Sequence, residues 1–379
     1  MAELSKMVCG LQQSGIRVIM NLALTMPDVV RLEVGEPLFD TPPHIVEAAA
    51  KAAREGYTHY TANAGLPSLR EAIVAQANRD YGTKFTPENV QVGVGAVGAI
   101  STAMRALTDP GDEVLVPDPG WPNYESIVKC AGAFPRRYTL DPAAGFLPEP
   151  DRIRELIGRR TKVLIVNSPS NPLGTVLPAE TMRGLVELAR EKGLFLVSDE
   201  VYEKIIYEGR HASAATYDPT GVAVTVSGVS KSYAMTGWRL GWALARPEII
   251  RQMAKLQESF VACAPSVSQK AAEAALTGPQ ACVEEMRNGY DANRKVAADI
   301  LDRHGIKYVR PRGAFYVWID VGTEDSSAFA LNLLQKERVA VAPGATFGPS
   351  GQRFIRISLA AKGEHVREGL QRLVSHLAD

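Results

Sequence analysis

The sequence predicts an α/β fold: a large, mostly parallel sheet set between helices, with a smaller α/β domain beside it. Two patterns carry this expectation. From about residue 90, short apolar runs alternate with segments whose apolar residues recur at helical spacing. Alternation of this kind places helices over both faces of a parallel sheet. After Gly278-Pro279 the pattern changes to one long helical stretch followed by separate strand-like runs.

Taken in order, the strand-like runs of the first part are 90–94, 113–117, 134–139, 163–167, 194–199 and 222–226. The last, Val-Ala-Val-Thr-Val, is apolar but for Thr225 and reads as a buried strand. Between them, 100–107 and 180–192 have helical spacing. Beyond residue 279 a helix is predicted to about Arg303, then strands over 314–321 and 354–358, then a final helix over 364–377. The change of pattern divides the chain into a large domain, 41–290, and a small one made of 1–40 and 291–379. No internal repeat and no low-complexity linker interrupts it.

The chain has 379 residues, 46% of them apolar, with 42 basic and 42 acidic side chains. A balanced charge gives no reason to expect nucleic acid or an anionic membrane as a partner. No apolar run approaches the roughly 18–20 residues that span a membrane, and the first residues lack a secretory pattern, so a cytoplasmic location is expected. Cys9, Cys130, Cys263 and Cys282 are scattered without a CxxC pair, which suits reduced thiols. The six histidines show no HExxH, and no metal site is predicted.

In sheets of this class ligands bind beyond the carboxyl ends of the strands. Gly95, Asn171, Asp199 and Lys231 each fall at or just after such an end. Lys231 lies in Ser-Gly-Val-Ser-Lys-Ser-Tyr-Ala-Met-Thr-Gly-Trp-Arg-Leu-Gly, residues 227–241, eight residues before Arg239. An amine there can bond covalently to an aldehyde cofactor. A guanidinium can hold that cofactor's phosphate, because its planar fork meets two oxygens at once. A lone lysine in such a place would read as a solvated turn.

Asp199 ends the run Leu-Phe-Leu-Val-Ser-Asp, 32 residues before Lys231. It reads either as the cap of a following helix or as the carboxylate that keeps a pyridine nitrogen protonated. Gly93-Val-Gly95-Ala96-Val97-Gly98 follows a strand and opens a helix, with Asp118 placed 20 residues beyond Gly98. Literally this is the dinucleotide fingerprint, and it supports a rival reading as a nicotinamide- or flavin-dependent oxidoreductase. The same N–H groups at Gly95, Ala96 and Val97 suit any phosphate at a helix N-terminus. Pro117 and Pro119 flank Asp118, which suits ribose binding poorly. Trp121, in a loop after a strand, can stack on a pyridine ring or anchor the loop.

The 227–241 segment resembles the cofactor-lysine signature of class I and II aminotransferases, the fold type I enzymes that use pyridoxal 5′-phosphate. Ten of its positions, from Gly228 to Gly241, carry allowed residue types. The resemblance covers nearly the whole chain and implies the same division into domains. It implies that Lys231 holds the cofactor covalently and moves the substrate's Cα proton, with Asp199 on the ring nitrogen. It places Tyr202 and Asn171 on the phenolic oxygen, and Ser227 or Ser230 with Arg239 on the phosphate. Arg356, in Phe-Ile-Arg-Ile-Ser, becomes the clamp on the substrate α-carboxylate; a structural ion pair is the other reading of a buried arginine. Gly35 and Ile16, in Val-Gly-Glu-Pro and Ser-Gly-Ile-Arg-Val-Ile, become substrate contacts. Tyr60 becomes the tyrosine that reaches the neighbouring subunit's cofactor, which makes the protein a homodimer with shared sites.

The implied activity is transfer of an amino group between an L-amino acid and a 2-keto acid. A lyase, decarboxylase or cyclase on the same fold is the alternative. Four positions depart from the pattern. Leu38 and Leu173 replace a frequent Asp and Thr, Gly228 replaces a phosphate-binding Ser, and Val97 replaces a lysine of some aspartate-using relatives. The last departure favours a donor with a neutral or apolar side chain, with Arg17 the only nearby cation in the sequence to suggest otherwise.

Overall fold

Branched aliphatic side chains fill the middle of the molecule. In the segment Thr161–Asn167, Val163, Leu164, Ile165 and Val166 are all buried, so neither face of that strand meets water, as in the interior of a parallel sheet. The computed structural model describes residues 2–11 and 13–378. Met1, Gln12 and Asp379, assigned to the small domain from sequence, lie outside the described residues.

Seven segments form the main sheet. They are β1 (Val90–Val94), β2 (Glu113–Asp118), β3 (Phe134–Thr139), β4 (Thr161–Asn167), β5 (Phe195–Asp199), β6 (Ala223–Gly228) and β7 (Leu240–Leu244). Their spatial order is β1-β7-β6-β5-β4-β2-β3. β7 runs antiparallel to both of its neighbours, and the remaining pairs are parallel. The six predicted strands are present and β7 is an addition. Only the eleven residues 229–239 separate it from β6, too few for the crossover that a parallel strand needs. The chain therefore turns straight back.

Helices cover both faces. Gly95–Leu107, Asn123–Cys130 and Pro247–Val261 bury Ile100, Met104, Val128 and Met253 against one side of the strands. Ala179–Lys192 buries Met182, Leu185 and Leu188 on the other. The chain direction across the sheet reverses between β4 and β2. Such a switch point opens a crevice at the carboxyl ends.

The second unit is an antiparallel sheet, ordered β10-β11-β9-β8, of β8 (Tyr308–Val309), β9 (Tyr316–Asp320), β10 (Ala342–Pro343) and β11 (Phe354–Ser358). The helices Ala281–Arg303 and Gly363–Ala378 pack on it. Val30–Arg31 pairs in parallel with Val339–Ala340. Ile19, Ala23 and Leu32 share one buried cluster with Leu301, Phe315, Ile355 and Leu370. The boundary drawn at 290 from sequence falls inside the helix Ala281–Arg303, whose Met286 and Tyr290 also belong to this cluster.

The two units meet at the end of β2. Ser350 donates from its hydroxyl to Asp118 Oδ2 at 2.9 Å and from its backbone N–H to Oδ1 at 3.2 Å. Gly348, at φ 130°, lies where any side chain would strike that same carboxylate. This contact seats the segment leading into β11 against the open edge of the large sheet.

Candidate active site

Four strand ends meet at that edge. Asn167 of β4 lies opposite Asp199 of β5, and Asp199 lies opposite Val226 of β6. Past β6 the single-turn helix Val229–Ser232 carries Lys231. Glycines let the backbones close in. A Cβ on Gly228 would lie 2.9 Å from the Gly241 Cα, and one on Gly241 would lie 2.8 Å from the carbonyl carbon of Gly95. Gly95, at φ 70°, donates its N–H to the Arg239 carbonyl at 3.0 Å, and a Cβ there would sit 2.6 Å from Arg239 Nη2. Gly228 and Gly241 of the 227–241 segment are thus required by packing, while a side chain at Gly237 would meet open space. The close packing lays the Arg239 guanidinium against Gly95, at the N-terminus of helix Gly95–Leu107.

Lys231 donates from Nζ to the Gly35 carbonyl at 2.7 Å. Its Nζ is 6.0 Å from the ring centre of Tyr202 and 5.9 Å from that of Phe315. Burial pushes its pKa down to about 8, with Glu36 opposing and Arg356 and Arg239 assisting. An amine so tuned is partly unprotonated near neutral pH, as a nucleophile or base requires.

Asp199 is 4% exposed. Tyr124 donates its O–H to Oδ2 at 2.6 Å, and the Val201 N–H reaches Oδ1 at 3.4 Å. Burial pushes the carboxyl up to about 6 despite these bonds. The chain after Asp199 makes a turn over 201–204 and no helix, so the helix-cap alternative is overturned. Tyr124 was not singled out from sequence. The Trp-Pro-Asn-Tyr spacing was the available signal, since it sets Trp121 and Tyr124 edge to face with ring centres 5.2 Å apart. Trp121 itself is half-buried.

Asn171 gives its N–H to Asn167 Oδ1 at 2.8 Å and receives Arg356 Nη1 on its own Oδ1 at 2.9 Å. Arg356 is 2% exposed, and its Nη2 donates to the Glu33 carbonyl. Its Nε has no partner, and its hydrogen-bond acceptors are an amide and a peptide carbonyl. The structural ion pair weighed from sequence is not what holds it. A buried guanidinium without a carboxylate is costly and is suited to an incoming anion. Tyr202 and Tyr316 share a hydrogen bond of 2.7 Å between their hydroxyls, and burial drives the Tyr202 phenol well up.

Other expected residues lie differently. Ser227 directs its hydroxyl to Glu203 Oε1 at 3.1 Å, inside the protein, so of the two serines weighed from sequence Ser230 remains; Ser232, on the other side of Lys231, is buried. This corrects the assignment of Ser227 to a phosphate. Ile16 is half-buried against the core cluster that contains Trp318 and Phe347, and Val97 is half-buried against the helix-covered face. Arg17 is exposed, with Nη1 at 3.5 Å from Met20 Sδ. Tyr60 is 88% exposed. Behind β5, Glu200, Glu203 and His211 bring ligand atoms within 4.8 Å of one another. No sequence spacing announced this group. His211 Nε2 meets Glu200 Oε2 at 2.7 Å, and Glu200 Oε1 accepts from Ser198 Oγ and the Ala214 N–H.

The dinucleotide reading fails on topology. In that fold the strands flanking the glycine-rich turn belong to one parallel unit, whereas here four strands lie between β1 and β2 and the neighbour of β1 is antiparallel. Asp118 is also taken by Ser350. Instead the edge presents an amine of lowered pKa, a buried carboxylate, an indole, a guanidinium by a helix N-terminus and an unpaired buried arginine. The glycine cradle at Gly95 and the donor set fit a phosphorylated pyridine aldehyde.

Comparison with known proteins agrees. The family model "Aminotransferase class I and II" matches residues 27–377. The aspartate/prephenate aminotransferase of Thermus thermophilus is 40% identical, over 98% of each chain. A solved structure of aspartate aminotransferase from Thermus thermophilus with maleate superposes with a TM-score of 0.95 at 39% identity, covering 99% of this chain and all of the other. That of an aromatic aminotransferase from Pyrococcus horikoshii gives 0.90 at 37% identity, covering 96% and 98%.

Proposed function

Since this chain belongs to the class I and II aminotransferases, enzymes that move amino groups with pyridoxal 5′-phosphate, we propose how its residues divide that task. The cofactor, when bound, supplies an electron sink for a carbanion at the substrate Cα. Gly95, Ala96, Val97, Ser230 and Arg239 hold its phosphate, and Trp121 covers the ring. Asp199 faces the ring nitrogen, with Tyr202 and Asn171 at the phenolic oxygen. Lys231 holds the cofactor covalently and then carries the Cα proton. Arg356 takes the substrate α-carboxylate beside Gly35 and Ile16. The observation that carries this reading is Arg356: a buried cation that lacks a carboxylate and touches Asn171.

The donor is an amino acid with a neutral or apolar side chain. Val97 leaves the phosphate loop without the lysine that some relatives use for a distal carboxylate, and Arg17 is exposed. Reconstituted enzyme should show a near-visible band that borohydride abolishes and that single amino acids discharge. In a panel of donors, neutral side chains should lead. Aspartate ahead by more than about tenfold, a gap of roughly 1.4 kcal/mol, would reject the assignment of specificity to Val97. Absence of the band would reject the assigned roles altogether.

The protein acts as a homodimer in the cytoplasm, sharing its sites through Tyr60. Tyr60 stands out at 88% exposure, with Phe260 at 60% and Val261 at 49%. The Thr61 N–H bonds to Cys263 Sγ at 3.5 Å and Asn63 Nδ2 to Glu258 Oε2 at 2.8 Å, tying these segments into one surface. A contiguous exposed apolar patch marks an interface. No helix among the described residues is long and apolar enough to cross a membrane. Mixing Lys231→Ala with Tyr60→Ala subunits should restore activity that neither has alone, because a hybrid contains one site with both residues intact. Full activity of a monomer in sedimentation would refute the shared site.

A further inference from the structure

Tyr316 stands at the centre of the site and has no role in the division of labour above. It lies on β9, 1% exposed. Arg356 on β11 is paired with Trp318, which makes Tyr316 its diagonal neighbour across the antiparallel ladder. The Arg356 guanidinium sits 4.3 Å above the Tyr316 ring centre. The hydroxyl of the same ring meets the Tyr202 hydroxyl at 2.7 Å. Gly35 closes the third side. A Cβ on Gly35 would run into the Tyr316 hydroxyl and lie 2.9 Å from Cζ, and the Gly35 carbonyl accepts Lys231 Nζ. Phe315 and Tyr202 brace the ring at 5.0 and 5.7 Å between centres.

We infer that Tyr316 is a positioning residue that joins the carboxylate arginine to the cofactor-facing tyrosine through the two ends of one rigid side chain. The inference rests on the roles proposed for Arg356 and Tyr202.

The two ends do different things. The π face holds the guanidinium by a cation–π contact, which matters most because Arg356 has no carboxylate partner to fix it. The hydroxyl acts on Tyr202. A phenol has one proton and two lone pairs. When Tyr316 donates to the Tyr202 oxygen, the Tyr202 proton is left to point at an anionic oxygen in front of it. Hydrogen bonds in such a chain reinforce one another. The hydroxyl therefore favours the deprotonated phenolic oxygen of a bound cofactor, and the ring sets the angle at which a substrate carboxylate meets Arg356.

Two substitutions separate these ends. Tyr316→Phe keeps the ring and removes the hydroxyl. In the enzyme loaded with pyridoxal 5′-phosphate, the pH midpoint of its near-visible absorption should move up by roughly half a unit or more. The KM for the best donor of the amino-acid panel should stay within about twofold, since the ring–guanidinium contact survives. Tyr316→Leu removes both ends and should also raise that KM by roughly tenfold. An unchanged spectroscopic midpoint in Tyr316→Phe overturns the inference. So does a KM in that variant raised as far as in Tyr316→Leu. If Tyr316→Leu does not fold, the midpoint of Tyr316→Phe decides alone. A wild-type enzyme that transaminates, with a Phe variant of unmoved midpoint, refutes this inference and leaves the proposed function standing. A wild type that takes up no cofactor refutes both.

Discussion

Lys231→Ala is expected to keep its fold and its non-covalent grip on pyridoxal 5′-phosphate while losing turnover by roughly ten-thousandfold or more. The substitution removes one hydrogen bond, to the Gly35 carbonyl, so its structural cost is about 1 kcal/mol. Arg239, the N–H groups beginning at Gly95, and Asp199 all remain. What disappears is the amine proposed both to hold the cofactor and to carry the proton. Two other lysines of the large domain, Lys204 and Lys270, are held by Asp80 and Glu273. Borohydride reduction of the loaded wild type should therefore leave its label on the peptide containing Lys231, and a label on any other lysine would sink the assignment. The pH dependence gives a second check. Burial holds the amine near 8, and only its neutral form attacks an aldehyde. The rate at which the apoprotein captures the cofactor should rise as pH increases toward about 8 and level off above it. A rate still climbing steeply beyond pH 10 would mean that the pKa is not lowered.

The parts of the site legible in the sequence were those fixed by backbone requirements. Gly228, Gly241 and Gly95 must be glycine because three chain segments nearly touch there, and such demands leave a rigid spacing. Asp199 and Asn171 were marked by their place at or just after strand ends, which apolar runs reveal. What escaped was set by side chains meeting across the fold. Tyr124 reaches Asp199 over 75 positions, and Tyr202 reaches Tyr316 over 114; periodicity carries no information about such pairs. β7 escaped for another reason. Leu-Gly-Trp-Ala-Leu is a short strand whose Gly241 also belongs to the cofactor-signature segment, and the eleven residues before it carry no strand pattern. Ser227 went astray through alternation. Neighbouring residues of a strand face opposite sides, and Ser227 faces Glu203 rather than the open edge.

Asp199→Asn should trade activity for stability, and the direction should reverse when the cofactor binds. In the free protein, burial raises the Asp199 carboxyl to about 6, above the range it has in an unfolded chain. A carboxyl raised in this way favours the fold below about pH 4, and that contribution is lost as pH rises through about 6. At pH 8 the wild type therefore keeps a buried charge that the Tyr124 and Val201 donors only partly offset, while asparagine carries none and can still accept the Tyr124 hydroxyl. The apoprotein variant should be more stable than wild type by about 3 kcal/mol at pH 8, with the advantage shrinking toward zero between pH 6 and 4. In the proposed arrangement, loading with pyridoxal 5′-phosphate would supply the missing partner, a protonated ring nitrogen, to the wild type alone. Turnover in the variant should fall by roughly a hundredfold or more, because a neutral amide no longer stabilises the positive ring that draws off the carbanion's electrons. Its gain in melting temperature over wild type should shrink or invert on loading. Buried groups placed for chemistry commonly carry this cost in the unloaded state. Melting curves of both proteins, apo and loaded, at pH 5 and 8 provide the test. An apo variant less stable than wild type at pH 8 would show that Asp199 is a structural anchor, held by Tyr124 for the fold's sake.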